Sequence, residues 1–318
     1  MASKQGLRTG PYALLSVTMV LWGSAFSSSK SVVDHVPHTV AALLRFGGGA
    51  LALLLAVRVS GDRRRTGEAA RHGWRAALAG VLGVFAYNAF FFWGLSLAPS
   101  LDAGILIPVM SPVITSAFLL VVRRERASAA RIAGLGTGLA GAVVFFLGAG
   151  GNSSGGGDRA RLAGDALFLL SALCWAAYTL AGPRVLAGIE PLRATTYATC
   201  AGAVLLAVIA VPDLPEVRWG ELPAGVWLNA AYLAVFAAAV ANLLYYRGIA
   251  AVGPASASLM MFLVPVVNTV CATLFMGESF GGVQGAGALL LMAGAVLSLH
   301  TRGVDRVNAA RGIDASGE

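Results

Sequence analysis

Residues 101–125 read LDAGILIPVMSPVITSAFLLVVRRE, and residues 254–278 read PASASLMMFLVPVVNTVCATLFMGE. Each begins with a long, nearly uncharged run, carries a proline at the same place (Pro112, Pro265) and reaches a glutamate at its end (Glu125, Glu278). Such a run matches the ~20 apolar residues that an α-helix needs to cross hydrocarbon. Because the pattern returns at an offset of 153 residues, the chain reads as a duplication.

Working outward, the same offset pairs Trp22 with Trp175, Gly134 with Gly287 and Gly141 with Gly294. A slide of one residue pairs Pro37 with Pro191, Asn88 with Asn242 and Gly94 with Gly248. Apolar stretches fall at about 11–33, 38–59, 74–97, 101–122, 128–149, 163–186, 191–211, 224–249, 254–276 and 281–300. The expected fold is therefore an all-α polytopic membrane protein of ten transmembrane helices, written as two five-helix units. An odd number of crossings per unit starts the second copy on the opposite side, so the repeats are expected to be inverted. The units are placed at 1–149 and 163–301, with a Gly/Ser-rich linker at 150–162 and a cytoplasmic tail at 302–318.

Composition agrees. Of 318 residues, 57% are hydrophobic and 12% charged, about half the charged share of a soluble domain. Disorder, a disulfide scaffold and a soluble nucleic-acid binder are excluded, and no nucleic-acid partner is expected. The net charge of +8 comes from basic residues at span ends. With the N-terminus inside, 18 of the 23 Lys and Arg fall on the inner side and 4 on the outer, with Arg45 inside a span. That bias puts both termini in the cytoplasm and the protein in the cytoplasmic membrane. The first stretch has no small-residue cleavage site after it and reads as a membrane helix rather than a signal peptide.

Trp22-Gly23-Ser24, Arg45-Phe46, and Pro112 followed by Glu125 and a Gly-rich helix, with Pro265, Glu278 and Gly287 repeating the last feature, make the chain resemble the EamA-type permeases of the drug/metabolite transporter superfamily. The resemblance covers about residues 11–300. It implies a central cavity between the two halves, and efflux or exchange of a small metabolite by alternating access.

Arg45 is the one basic residue within a span, where a guanidinium costs about 2.5–3.5 kcal/mol on insertion scales. It either contacts an anionic ligand group or a gate, or it satisfies helix-end carbonyls and snorkels to an interface. Asn88 and Asn242, matched by the repeat, should face the bundle interior. There they make an interhelical hydrogen bond or hold a central ligand. Trp22, Phe91, Phe92, Trp93, Trp175 and Tyr178 are placed deep enough to line a cavity, and Trp22, Phe92, Trp175 and Tyr178 join Arg45, Asn88 and Asn242 as substrate-binding candidates. Trp74, Trp219, Trp227, Tyr245 and Tyr246 are assigned to an interfacial belt. Pro108, Pro112 and Pro265 each remove a backbone donor and mark a hinge, a gate or a static kink. Gly134 and Gly138, with Gly281 and Gly285, form small-residue faces for packing within the bundle or in a homodimer.

Other motifs fail on context. Gly136, Gly138 and Gly141 have dinucleotide-loop spacing but no preceding strand. The four histidines show no zinc spacing, the three cysteines no metal pattern, and no phosphate-binding loop occurs, so no cofactor or metal is expected. Every carboxylate falls at a span end or in a loop, so the expected energetics are facilitated diffusion or exchange, with any proton coupling through Glu278 or Glu125. The resulting expectation is a permease, not an enzyme, moving a metabolite that is amphipathic and zwitterionic or anionic through the lipid bilayer. An enzyme on a lipid-linked substrate and a metabolite channel are the competing classes.

Overall fold

The computed structural model describes residues 9–59, 66–122, 129–150, 157–185, 189–245, 260–261, 263–279, 281–294 and 296–297. Within these the chain is helical: α1 (Thr9–Val33), α2 (His38–Val59), α3 (Thr66–Gly80), α4 (Tyr87–Leu97), α5 (Ser100–Val121), α6 (Ala129–Gly150), α7 (Gly157–Val185), α8 (Pro191–Ala210), α9 (Ala224–Tyr232), α10 (Leu263–Met276) and α11 (Gly282–Gly294). Five helical segments are long and apolar enough to cross a membrane: His38–Val59, Gly73–Leu97, Arg159–Ala181, Leu192–Glu216 and Ala224–Tyr245, and shorter apolar helices accompany them. Leu51, Leu55, Val204, Leu228, Leu274, Phe275 and Leu289 point their side chains outward, as a lipid-facing shell requires. The fold is that of a polytopic helical membrane protein.

Two stretches expected to be plain helices are not. Between α3 and α4 the backbone widens into a π-helix over Val81–Ala86, and after α9 it does so again over Leu233–Val240. The two π-helices occupy equivalent positions in the duplicated units. A turn of this kind shifts backbone pairing and leaves carbonyls for other donors.

Packing follows the repeat. Helix α1 lies against α10 and α9, and its counterpart α7 lies against α5 and α4. Helix α2 packs on the second π-helix, α8 on the first, and α2 and α8 on each other. In the α6–α11 pair, a Cβ at Gly141 would meet the Leu291 nitrogen at 2.4 Å, and one at Gly294 would meet the Gly138 nitrogen at 2.2 Å. Gly148 faces Gln284 in the same pair, so these repeat-equivalent helices run antiparallel, backbone against backbone. Gly285, expected on this face, has nothing within 4 Å of its Cβ position.

Boundaries differ from expectation at one notable place. Helix α7 begins at Gly157, inside the stretch read as linker. The residues after the glycines, Asp158-Arg159-Ala160-Arg161, can propagate a helix, and Arg161 finds a partner on α5. The tail 302–318, Glu125, Tyr246 and Arg247 lie outside the described residues.

Gly141→Leu should lower the thermal stability of the detergent-purified protein by about 1–3 kcal/mol, because no neighbouring flexible side chain can yield. Gly136→Leu, about 1.4 turns from it and with nothing within 4 Å, should melt close to the parent. Coincident melting curves for the two variants would remove the role given to the α6–α11 contact.

Candidate functional site

The triplet Trp22-Gly23-Ser24 joins three partners in successive residues. The Trp22 indole donates to the Ala237 carbonyl of the second π-helix at 3.3 Å. Gly23 is the close approach to α10, where a Cβ would lie 2.6 Å from Val267 Cβ. Ser24 Oγ lies 2.7 Å from the Tyr232 hydroxyl of α9, which also donates to the Leu21 carbonyl at 3.1 Å. Farther along α1, Ser28 donates to Asn229 Oδ1, and Asn229 Nδ2 donates to Ser31 Oγ at 3.3 Å.

From this anchor an aromatic column runs between the halves. The Trp22 ring centroid is 4.8 Å from Tyr245 and 6.5 Å from Trp175; Trp175 is 5.4 Å from Tyr87 and 5.8 Å from Tyr178. Tyr245, assigned from sequence to the interfacial belt, therefore packs inside the bundle, with its hydroxyl directed at Met261 Sδ at 3.7 Å. Trp219 and Trp227 do form a pair at a span end, 5.9 Å apart, and Trp74 is exposed beneath Arg75.

Arg45 sits on this column. Its guanidinium carbon is 5.1 Å from the Phe46 ring centroid and 5.8 Å from that of Phe91, within cation–π range. Nη1 donates to Ser29 Oγ at 3.2 Å, while Nε is buried with no acceptor. The hydroxyls of Tyr87 and Tyr232 are near enough to act on its charge, and among the described residues no carboxylate forms an ion pair with it. A half-buried cation with no counterion among the described residues, set against aromatic faces, is an incomplete site that an anionic group would complete.

A cavity of 460 Å³ opens between α3 and α7, lined by Trp74, Arg75, Leu78, Ala79, Leu82, Tyr178 and Ala181. Trp74 and Arg75 mark the end of the bundle that carries the Arg-rich stretch. Tyr178 is shared between this cavity and the aromatic column.

The remaining candidates divide. Phe92 is fully buried, 5.0 Å from Phe91, and forms part of the hydrophobic core. Asn88 Nδ2 donates to the Val84 carbonyl and Asn242 Nδ2 to the Ala238 carbonyl, both at 2.6 Å, so each amide serves the π-helix that precedes it. Asn88 Oδ1 is buried without a donor. Pro108 and Pro112 lie within a continuous α5, where Ser111 Oγ donates to the Ile107 carbonyl at 2.6 Å and to the Ala172 carbonyl of α7 at 3.3 Å. Pro265 lies near the start of α10.

At the opposite end from Arg75, a polar plate closes the bundle. Glu278 accepts from the Ser100 and Leu101 amides at 2.9 and 2.8 Å and from Ser100 Oγ at 3.0 Å, capping α5. Asp102 accepts from Arg161 Nε at 2.7 Å, Arg161 Nη2 at 2.9 Å and Gln284 Nε2 at 2.7 Å. Asp102 and Asp165 are both completely buried. These two acids lie at span ends, as read from the sequence, and are buried there because Glu278, Gln284 and Asn268 close over the end of α5.

Comparison with known proteins then identifies the scaffold. The model of the EamA-like transporter family matches residues 10–147 and again 162–300. The chain belongs to this family. An uncharacterised transporter of Bacillus subtilis, YyaM, is 26% identical over 300 residues, covering 93% of this chain and 94% of its own. A probable terminal-alkyne amino-acid exporter of Streptantibioticus cattleyicolor is 30% identical over 286 residues, 89% and 91% of the two chains. The aromatic amino acid exporter YddG of Ancylobacter novellus is 30% identical over 176 residues, 54% and 58% of the two. A solved crystal structure, 24% identical, superposes with a TM-score of 0.62 over 92% of this chain and 96% of that one, and shares the fold. The protein is thus a membrane transporter rather than an enzyme.

In this EamA-like chain the sequence reading missed Tyr87 and Tyr232, the two hydroxyls beside Arg45. Tyr87 precedes the matched Asn88 and stands four residues before Phe91, a spacing that puts it on the same helix face. Arg161→Met should destabilise the protein by about 3 kcal/mol, since it leaves Asp102 buried without its cation. Adding Asp102→Asn should recover much of that loss, and thermal melting of both variants measures the coupling.

Proposed function

We propose that this EamA-like transporter exports or exchanges a small metabolite carrying a carboxylate, and an apolar or aromatic body, across the cytoplasmic membrane. The observation that carries this reading is Arg45: a half-buried guanidinium that, among the described residues, has one hydrogen bond, a buried and unpartnered Nε and no ion-paired carboxylate, set among aromatic rings. A carboxylate fits the guanidinium fork, and the faces of Trp22, Trp175 and Tyr178 suit a flat apolar group. The relatives named as exporters of amino acids have substrates of this kind.

The mechanism we infer is alternating access. Ten crossings as two inverted five-helix units, 1–149 and 163–301, with both termini cytoplasmic, would place Arg45 at the interface of the halves. The antiparallel α6–α11 contact, the symmetric helix pairing and the twofold family match support that arrangement. The cavity beside Trp74 and Arg75 would then be the cytoplasmic entrance, and the polar plate around Asp102 the closed outer end. Substrate reaching Tyr178 would move along the aromatic column to Arg45, and rearrangement around the prolines of α5 and α10 would open the other side.

Proteoliposomes loaded with radiolabelled L-phenylalanine test this. Arg45→Gln should weaken apparent affinity by about one to two orders of magnitude, the loss expected for a charge-assisted hydrogen bond. Phenylethylamine, which lacks the carboxylate, should fail to compete in the parent protein. Equal competition by the amine, or an unchanged affinity in Arg45→Gln, would overturn the assignment of Arg45 to a substrate carboxylate.

A further inference from the structure

Asp165 lies in the third turn of α7, completely buried, and neither of its carboxylate oxygens meets an N–H or O–H donor. Among the described residues its one charged neighbour on a facing helix is Asp102 of α5, and the two carboxyl groups are in side-chain contact. Two ionised carboxylates have only acceptors to offer each other, so this contact needs a hydrogen. Asp102 is not the one that lacks partners: its oxygens already take three N–H bonds from Arg161 and Gln284. The charges that act here are Asp102 from α5, Arg161 from the same face of α7 and Glu278 from the segment after α10. Helix α4 contributes no ionisable side chain but Tyr87, and α6 has only Arg131, at its far end. With three carboxylates and one guanidinium, the plate lacks positive charge. Two buried amide oxygens of the plate, Asn268 Oδ1 and Gln284 Oε1, also have no donor.

We propose that Asp165 binds a proton and donates it to the Asp102 carboxylate, and that gain of this proton from the outer side locks α5 to α7 while its loss lets the outer end open. Gain of the proton forms one O–H bond on Asp165 and one hydrogen bond to Asp102. Its release leaves two like charges facing each other in a buried site whose one guanidinium, Arg161, is bonded to Asp102, and repulsion then favours separation of the helices that carry them. The site itself is independent of substrate. Its consequence rests on the transport reading above: export of metabolite in exchange for protons, with Asp165 rather than Glu278 as the coupling group. Glu278 is occupied in capping α5.

The sign follows from linkage. Between the titration points of the open and closed forms the closed outer end holds one more proton, so closure is favoured at low pH; within that interval each pH unit upward should shift the equilibrium about tenfold towards opening, and above it the response levels off. Hydrogen–deuterium exchange of the purified full chain, corrected for intrinsic rates and followed in peptides covering 98–107 and 157–168 over a pH series, reads this without any substrate. The parent should lose protection there as pH rises. Asp165→Asn, which keeps a donor to Asp102 and cannot ionise, should stay protected throughout, and Asp165→Glu should restore the dependence. An infrared band of a protonated carboxyl, present in the parent and absent in Asp165→Asn, is the matching signature in the same samples. A flat pH response in the parent, the same response in Asp165→Asn, or protection that follows sodium concentration at fixed pH would each overturn the proposal. In proteoliposomes with L-phenylalanine as probe, Asp165→Asn should retain exchange but lose accumulation driven by a pH gradient. If the parent moves no phenylalanine, the substrate reading fails, while the exchange and infrared results still decide the proton site.

Discussion

Hydrocarbon offers no hydrogen-bond partner, so every backbone group that leaves regular pairing inside this bundle must be met by a side chain of the bundle itself. That requirement is sharpest at the two π-helices. At Val84 and Ala238 the carbonyl is met by the amide of the asparagine four residues on, and the Ala237 carbonyl is met by the Trp22 indole from the other half. The widened turns therefore do two things at once. They make local irregularity tolerable, and in the second unit they turn it into a contact between the halves. The small residues of α2 and α8, Gly49 and Gly202, lie against those same segments, which lets the wide turns seat closely.

This accounts for what the sequence disclosed and what it did not. Helical stretches and duplication are carried by apolar periodicity and by matched Trp, Asn, Pro and Gly, all visible as letters. The π-helices leave no such mark, since Val81–Ala86 and Leu233–Val240 are ordinary apolar helix sequence. Only their attendant asparagines are readable, and the sequence leaves these open between an interhelical hydrogen bond and a central ligand. Arg45 was legible because a charge inside a span must be explained. Tyr87 and Tyr232, which shape its surroundings, were not, because an aromatic residue in such a helix serves equally as core, belt or cavity wall until its neighbours are known. The burial of Asp102 and Asp165 was not legible for a different reason: a place near a helix end does not say whether water reaches it. Long-range contacts from Glu278 and Gln284, more than a hundred residues distant in the chain, bury them, and no local pattern announces that.

The groups that hold the fold obey the repeat, and the ionisable groups assigned to function break it. Trp22 and Trp175, Asn88 and Asn242, Pro112 and Pro265, Gly141 and Gly294 are shared. Arg45 stands opposite Thr199, and Asp165 opposite Tyr12. A duplicated bundle in which both units were chemically identical would have inward- and outward-open forms related by exchange of the units, hence equal in free energy. Single-copy ionisable groups lift that equality. On the proposed reading, Arg45 makes the energy of each form depend on an anionic substrate, and the Asp102–Asp165 pair makes the outer end depend on a proton. A ligand shifts such an equilibrium only by the difference in its affinity for the two forms. Direction of transport would then be set by the asymmetric residues alone, with the symmetric scaffold supplying two forms close enough in energy for one proton and one carboxylate to choose between them.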